Sequence, residues 1–206
     1  MPANYDNSAV FYDRLSRLVY GRALVNAQVH FLPRIQANSK VLIIGGGTGW
    51  ILEEITRIHA SGLHITYVEI SANMMALSRK KNIGSNNVTY INQPAEEVAL
   101  KGFDVVITPF LFDNFTEANL AVIFGHIHQS LKPGGTWLNT DFQLTGKWWQ
   151  AVMLKTMLLF FKILCGIESW RLPDVAKQFS TAGCKIEEEK CFFGDFVITR
   201  VYKKPF

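Results

Sequence analysis

One stretch limits what this chain can fold into. The apolar run Val41–Ile44 is followed by a segment in which glycine occupies four of the five positions 45–49. After it comes an apolar pattern at helical spacing over 50–60. Glycines are this dense where the backbone turns sharply and another group must approach it closely. The stretch therefore predicts a strand, a tight turn and a helix, with a ligand over the turn.

The alternation continues along the chain. Apolar periodicity predicts further strands over 64–69, 88–92, 103–108 and 136–141, with helices over 71–81 and 116–131 between them. A helical pattern over 8–32, stopped at Pro33, precedes the first strand. Strands that alternate with helices are typical of a parallel sheet covered on both faces.

The last third departs from this pattern. Two helices are predicted over 147–165 and 174–182, followed by strands over 185–193 and 196–202. These strands are joined through Gly194 and Asp195, and so short a link permits only an antiparallel pair. We therefore predict an α/β fold whose parallel sheet ends in an antiparallel hairpin.

Composition limits the classes of protein. A chain of 206 residues with 49% hydrophobic and 18% charged residues is ordinary globular material. The net charge of +4 is mild and the basic residues are scattered, so we expect no nucleic acid partner. We predict a single domain over 1–206, with a helical cover over 1–39 and an apolar insertion or lid over 142–173.

Several features predict a cytoplasmic location. The first residues lack a basic-then-apolar signal segment, and the apolar region 148–167 is interrupted by Lys155 and Lys162. The cysteines are odd in number, lack metal-site spacing and lie in apolar surroundings. We interpret them as free buried thiols of a reducing compartment, and no metal site is predicted.

The spacing of the glycines argues against both common phosphate-binding loops. Dinucleotide binding requires Gly-x-Gly-x-x-Gly, whereas Gly45, Gly47 and Gly49 stand closer together and Trp50 follows. The Lys-Ser/Thr ending of the other loop is missing. Glu69, 20 residues after the last glycine, can accept both hydrogens of a ribose diol and would repel a 2′-phosphate. A nucleoside with a free ribose is therefore expected.

At this point the chain resembles the class I S-adenosylmethionine-dependent methyltransferases over roughly residues 40–141. The resemblance rests on five segments in the family's order and spacing: Val41 to Gly49, Glu69 to Met74, Gln93 to Glu97, Phe103 to Phe110 and Leu131 to Gly135. It implies a Rossmann-like, mostly parallel seven-stranded sheet with helices on both faces and a C-terminal antiparallel hairpin. It also implies S-adenosylmethionine as the cofactor.

The resemblance also implies which residues contact this cofactor. Glu69 would bind the ribose, and Ile70 and Met74 would lie near the adenine. The full set that we expect to bind the cofactor is Gly45, Gly46, Gly47, Gly49, Glu69, Ile70, Met74, Gln93, Pro94, Ala95, Glu96, Pro109 and Phe110.

Two positions depart from the family pattern. The family often has an acidic residue within the first strand, where this chain has Ile43, so a water or the N-terminal segment is left to hold the donor's ammonium. The usual acid of the adenine-reading loop is replaced by Pro94, which leaves Gln93 or Glu96 to contact the adenine amine.

The acceptor side offers few catalytic candidates. A sulfonium methyl is already electrophilic, so a general base is needed only if the acceptor must lose a proton. Asp141, at the end of the fifth strand, is the best-placed base, and Tyr12 lies on the N-terminal segment that often covers the donor in this family. Asp113 either orients an acceptor or caps the helix that starts at Thr116, and we favour the cap.

The helix pattern over 147–167 is the most individual feature. Its lysines share one side, while apolar residues occupy much of the rest. It could be a lid over an apolar acceptor that rests on a membrane surface, or a helix buried against the sheet or in a homodimer. Within the resembled family, three features together look most like enzymes that act on quinone precursors or phospholipid headgroups: the Tyr-Asp pairs at 5–6 and 12–13, the Gly-Gly-Gly-Thr-Gly motif and this apolar insertion after the fifth strand.

We therefore predict a methyltransferase that moves a methyl group from S-adenosylmethionine to a small, apolar acceptor by in-line displacement. Two alternatives stay open on the sequence alone. One is an aminopropyl transferase of the polyamine-synthase type, which would need acidic residues to hold a polyamine. The other is a non-catalytic nucleoside-binding protein.

Overall fold

The computed structural model of this chain describes residues 17–165 and 171–206. Within this part the side chains of 161 and 163–165 are not described. The prediction for Tyr12 lies outside the described residues.

A seven-stranded sheet organises the described chain, in the order β3-β2-β1-β4-β5-β7-β6. The first five strands are parallel, whereas β7 runs antiparallel to both β5 and β6. This confirms the predicted mostly parallel fold with a C-terminal antiparallel hairpin. The strands are β1 (Lys40–Ile44), β2 (Ser61–Val68), β3 (Ser85–Ile91), β4 (Phe103–Pro109), β5 (Leu131–Phe142), β6 (Lys185–Phe192) and β7 (Val197–Lys203).

Helices cover both faces of the sheet because its central strands are apolar on both sides. Val41 and Ile43 of β1 pack in one core with the buried residues of α2, whereas Leu42 and Ile44 pack in a second core with those of α4. Alternate side chains of a strand point to opposite faces, so one apolar run requires two layers of helix. The helices are α1 (Ala23–Val29), α2 (Trp50–Ile58), α3 (Ala72–Ser78), α4 (Glu117–Ser130), α5 (Trp148–Cys165) and α6 (Val175–Thr181).

The N-terminal helix differs from its prediction. Residues 17–20 are helical, but Gly21 has a φ of +58° and interrupts the helix before α1. Pro33, which was expected to end the helix, lies inside a short 3₁₀ turn, Leu32–Arg34. Proline suits such a position because it lacks an N–H, and an N–H in the first turn of a helix has no partner within the helix.

The fifth strand and the thiols also differ from their predictions. β5 begins at Leu131 instead of 136, since Leu131 pairs with Phe103 of β4, and a register shift follows before Thr136 pairs with Val105. The expected Lys-Pro-Gly-Gly turn also exchanges hydrogen bonds with Lys204: the Gly134 N–H donates to the Lys204 carbonyl, and the Lys204 N–H donates to the Gly135 carbonyl. Cys184 and Cys191 are half-buried instead of buried.

Candidate functional site

The glycine turn lies at the carboxyl end of β1. The Gly45 N–H donates to the Val68 carbonyl at 3.0 Å, which ties the start of the turn to the end of β2. Gly45, Gly47 and Gly49 have φ angles of +71°, +62° and +81°, and Gly49 is the residue that precedes α2. Only glycine adopts such angles without strain, so the turn depends on all three.

The glycines do not all serve the same purpose. A Cβ on Gly46 would lie 2.5 Å from the Tyr67 ring, and a Cβ on Gly49 would lie 2.5 Å from the Ser78 Cβ. At these two positions the protein itself makes the close approach. At Gly47 a Cβ would lie 3.8 Å from the Met74 sulfur, which is ordinary contact. Packing by itself therefore requires glycine at positions 46 and 49, and cofactor contact stays a prediction for all four glycines.

Glu69 joins the glycine turn to the start of α3. Its buried carboxylate accepts the Gly47 N–H at 3.0 Å through Oε2 and the Ser71 N–H at 2.9 Å through Oε1. Ser71 in turn caps α3, because its hydroxyl accepts the Met74 N–H at 3.2 Å. An acid at the end of the second strand is therefore held in one orientation beside the turn.

Asn92 makes hydrogen bonds at this site that the sequence analysis did not predict. Its Nδ2 donates to the Glu69 carbonyl at 2.7 Å and to the Ile70 carbonyl at 3.0 Å. This amide links the end of β3 to the end of β2. The only sequence signal was its position, immediately before the Gln93 segment that we had considered.

The other residues predicted to bind the cofactor also follow the carboxyl ends of the strands. Met74 and Ala95 are buried, Ile70 and Pro94 half-buried, and Gln93 and Glu96 exposed. Pro109 ends β4 and is followed by Phe110, whose φ is +50°. Ile43, in contrast, is fully buried in the core beneath this edge and presents no polar group to it.

An aromatic cluster borders the same edge beyond β4 and β5. The rings of Phe110 and Phe142 lie 4.8 Å apart, those of Phe142 and Phe196 5.1 Å apart, and those of Tyr20 and Phe142 5.8 Å apart. We define the aromatic cluster as Tyr20, Leu24, Ala27, Phe110, Phe142, Trp149, Met153, Leu154, Met157, Leu158, Leu172, Phe192, Phe193, Phe196 and Val197. It draws together residues of α1, α5 and the terminal hairpin.

Two buried carboxyl groups lie at this border. Asp141 precedes Phe142 at the end of β5, and Asp113 lies in the turn after β4. The Asp141 Oδ1 accepts the Phe142 N–H at 2.9 Å, whereas its Oδ2 is buried without a hydrogen-bond partner in the described part of the chain. The Asp113 Oδ1 accepts the Asn114 Nδ2–H at 2.9 Å.

Burial makes both groups weak acids. Desolvation raises the pKa of Asp141 to about 7 against the lowering effect of the Phe142 and Phe112 amides. Desolvation, and next the nearby Asp141 charge, raise the pKa of Asp113 well above its usual value. A buried charge is costly without a partner, and two like charges oppose each other's ionisation. The pair therefore retains a proton near neutral pH.

Asp113 corrects one interpretation of the sequence. Thr116, and not Asp113, caps α4, since the Thr116 hydroxyl accepts the Asn119 N–H at 3.4 Å. Asp113 is turned instead into the protein interior, where its side chain is buried. The favoured capping role for Asp113 was therefore wrong, because the Thr116 hydroxyl caps the helix instead.

Tyr20 lies close to the carboxyl pair, and the sequence analysis did not identify it as a site residue. Its hydroxyl donates to the Met157 sulfur at 3.6 Å. Desolvation and then the Asp113 charge raise the pKa of its phenol to about 12, which places it within electrostatic reach of the pair. It lies within the helical pattern predicted over 8–32, which did not single it out.

Comparison with known proteins agrees with this geometry. Residues 41–135 match the model of a methyltransferase domain family. The chain is 30% identical over 113 residues to a ubiquinone/menaquinone biosynthesis C-methyltransferase, UbiE, of Pectobacterium carotovorum, covering 52% of this chain and 44% of that protein. The UbiE protein of Pseudomonas paraeruginosa is 27% identical over 151 residues, covering 68% of this chain and 58% of that protein. The chain thus spans about half the length of the curated relatives it matches.

Solved structures share the fold at low sequence identity. A methyltransferase from Aquifex aeolicus that depends on S-adenosylmethionine has a TM-score of 0.65 at 13% identity, covering 93% of this chain and 97% of that one. A Burkholderia thailandensis 1,6-didemethyltoxoflavin-N1-methyltransferase, solved with S-adenosylhomocysteine, has a TM-score of 0.63 at 14% identity, covering 97% and 88%. Residues 41–135 thus match a methyltransferase domain family, and the chain shares the fold of these solved methyltransferases.

Proposed function

We propose that this protein transfers a methyl group from S-adenosylmethionine to a small, apolar acceptor. The observation that carries the proposal is the contact between the glycine turn and Glu69: a buried acid after β2 bonds directly to the Gly47 amide. The matched family and the shared fold support methyl transfer over the aminopropyl and binding-only alternatives.

The residues at the carboxyl edge fit such a donor. Glu69 would accept the ribose hydroxyls, and the backbone at Gly45 and Gly47 would lie beneath its amino-acid part. Ile70, Met74 and the segment from Gln93 to Glu96 would surround the adenine. When bound, the donor supplies a methyl group on a sulfonium, which is already electrophilic. The protein's task is then to orient an acceptor in line with it, which contributes up to about 7–11 kcal/mol.

The acceptor would lie against the aromatic cluster. Its rings supply an apolar surface, and Asp141 is the described group that we propose as base for an acceptor that loses a proton. Tyr12 stays a proposal for the N-terminal cover. The names of the curated relatives favour a quinone precursor methylated on carbon. We further propose that 1–206 forms one domain in which 142–173 closes over the acceptor.

Calorimetry with S-adenosylmethionine and S-adenosylhomocysteine tests the proposal, and Glu69→Gln sharpens it. We expect the variant to bind both ligands about 10- to 100-fold more weakly, because both share the ribose and a charged hydrogen bond contributes about 1.5–3 kcal/mol. Glu187→Gln, on the exposed strand β6, should bind both as the wild type does. Absence of binding by the wild-type protein would refute the proposed function, and unchanged affinity in Glu69→Gln would refute the ribose role.

We also propose that α5 contacts a phospholipid surface. Trp148, Val152 and Leu159 are exposed and share one stripe with exposed Lys155, at a spacing of four, three and four residues. An apolar stripe that contains a lysine suits an anionic membrane surface, where each basic residue contributes about 1 kcal/mol. No helix of the described chain is long and apolar enough to cross a membrane.

Val152→Asp tests this contact by co-sedimentation with vesicles of phosphatidylglycerol and phosphatidylcholine. We expect the bound fraction to fall several-fold, because a charge replaces apolar surface at the centre of the stripe. Val122→Asp, also at an exposed valine but on α4, is the matched control and should bind as the wild type does. If the wild-type protein does not sediment with vesicles, and Val152→Asp instead dissociates a dimer in ultracentrifugation, the stripe is a homodimer contact.

A further inference from the structure

The Asp113–Asp141 pair has no counter-charge in the described chain. No lysine, arginine or histidine among residues 17–165 and 171–206 contributes to the shifted pKa of either carboxyl. The elements packed around the pair add only the Tyr20 phenol, and the cluster residues of α1, α5 and β7 are uncharged. Such a pair is stabilised either by a shared proton or by a cation that arrives from outside.

One oxygen of the pair, the Asp141 Oδ2, makes no hydrogen bond of normal geometry in the described chain, although the Phe112 amide lies near enough to Asp141 to lower its pKa. Asp141 is 6% exposed, and its Oδ2 is buried without a hydrogen-bond partner in the part of the chain that the structure describes. Native proteins rarely leave a buried polar atom unpaired unless a ligand, water or ion completes it. This oxygen lies on the border between the donor edge and the aromatic cluster, beside Phe142.

The pair is also connected to the glycine turn. Leu111, two residues before Asp113, approaches Gly45 so closely that a Cβ there would lie 3.2 Å from its Cδ1. In the sheet, β4 is the direct neighbour of β1 and β5 is the next strand, and parallel strands lie about 4.8 Å apart. A positive charge held near the glycine turn would therefore act on Asp141 from about two strand spacings away, roughly 10 Å, across the apolar end of β4.

We propose that the Asp113–Asp141 pair holds one proton in the free protein and releases it to solvent when a sulfonium donor binds. The inference rests on the proposed function. Donor binding thus converts a carboxylic acid and a carboxylate into two carboxylates. The charged pair can then take one proton from an acceptor X–H, as the X–C bond forms, the X–H bond breaks and the electron pair of the broken C–S bond stays on sulfur.

The consequence for ligand choice is specific. S-adenosylmethionine carries the sulfonium charge, whereas its demethylated product is a neutral thioether that is otherwise the same. The two carboxylates would increase the affinity for the positively charged donor but not for the neutral product. Once the methyl group has left, this attraction is lost, which helps the product to dissociate. It also predicts an acceptor that must lose a proton, a hydroxyl or an acidic carbon, because only such an acceptor uses the base.

Proton release can be counted without any acceptor. Calorimetric titration at pH 7 in phosphate and in Tris, whose ionisation enthalpies differ, yields the number of protons that each ligand displaces. We expect S-adenosylmethionine to release about half a proton or more beyond S-adenosylhomocysteine, since a pair that titrates near neutral pH is then partly protonated. The groups common to both ligands cancel in this difference. Equal release by the two ligands would overturn the inference.

The same linkage appears in the affinities of the wild-type protein. Because ligand binding lowers the pKa of the pair, we expect the ratio of donor to product affinity to rise about five- to tenfold between pH 6 and pH 8. Asp113→Asn and Asp141→Asn should abolish the rise while S-adenosylhomocysteine still binds. A ratio that is independent of pH in the wild type, or a rise that persists in both variants, would contradict the inference. Failure of both ligands to bind would instead refute the proposed function.

Discussion

Gly49→Ala is expected to destabilise the protein by about 2–5 kcal/mol. Two costs combine at this position. The residue has a φ of +81°, where an L side chain costs about 1–2 kcal/mol. In addition, the new Cβ would lie 2.5 Å from the Ser78 Cβ and 2.6 Å from its Cα, so α2 and α3 would have to separate, and such overpacking costs about 1–3 kcal/mol.

Calorimetric unfolding measures this effect, and Gly102→Ala is its matched control. Gly102 has nearly the same φ, +77°, but nothing lies within 4 Å of its added Cβ. The control should lose only the backbone contribution, about 1–2 kcal/mol. For a chain of this size Gly49→Ala should melt about 10 °C lower than the wild type. Equal losses in the two variants would show that the contact with Ser78 is unimportant.

Asp141→Asn is expected to stabilise the protein above neutral pH, although we propose the residue as catalytic. Its folded pKa of about 7 exceeds the usual value of 3.8. The native state therefore binds more protons than the unfolded state between these values, and stability falls as pH rises through that window. Each unit of difference corresponds to about 1.4 kcal/mol, so the variant should gain a few kcal/mol at pH 8.

Melting scans from pH 4 to pH 8 test the sign. The two proteins should melt together near pH 4, where Asp141 is protonated, and diverge upward from there. Asp104→Asn is the control of opposite sign: despite partial burial, hydrogen bonds from Lys132 and Lys40 lower the pKa of Asp104, so its contribution is present above its unfolded pKa and is lost as pH falls. If Asp141→Asn melts below the wild type at pH 8, the carboxylate is stabilised by a partner and the proposed proton pair is wrong.

Much of the fold could be predicted because its signals are local. The apolar run of β1 and the short link between β6 and β7 act within a few residues of chain. Their period and spacing exclude most alternatives, and the five family segments placed the strand ends in order. Where an element depended on distant partners the prediction shifted, as when the pairing of Leu131 with Phe103 moved the start of β5 five residues earlier.

The candidate site divides in the same way. Glu69 was identified from its distance to the last glycine, and the structure places it against Gly47. Asn92 had no signal in the sequence beyond its position before Gln93, and Tyr20 had none, because an amide or a phenol acquires a role only from what faces it after folding. The purpose of Gly46 likewise depends on Tyr67, whose hydroxyl donates to the Gly47 carbonyl at 2.9 Å.

The sequence by itself determined the class of this protein: a mostly parallel α/β sheet, a glycine turn after its first strand and an acid after its second. These follow from periodicity and spacing, which are properties of neighbouring residues. Only the tertiary structure decided that Asp113 and Asp141, 28 positions apart, share one apolar site. Their acidity depends on desolvation and on each other's charge, and both arise when β4 and β5 are paired and covered by the aromatic cluster.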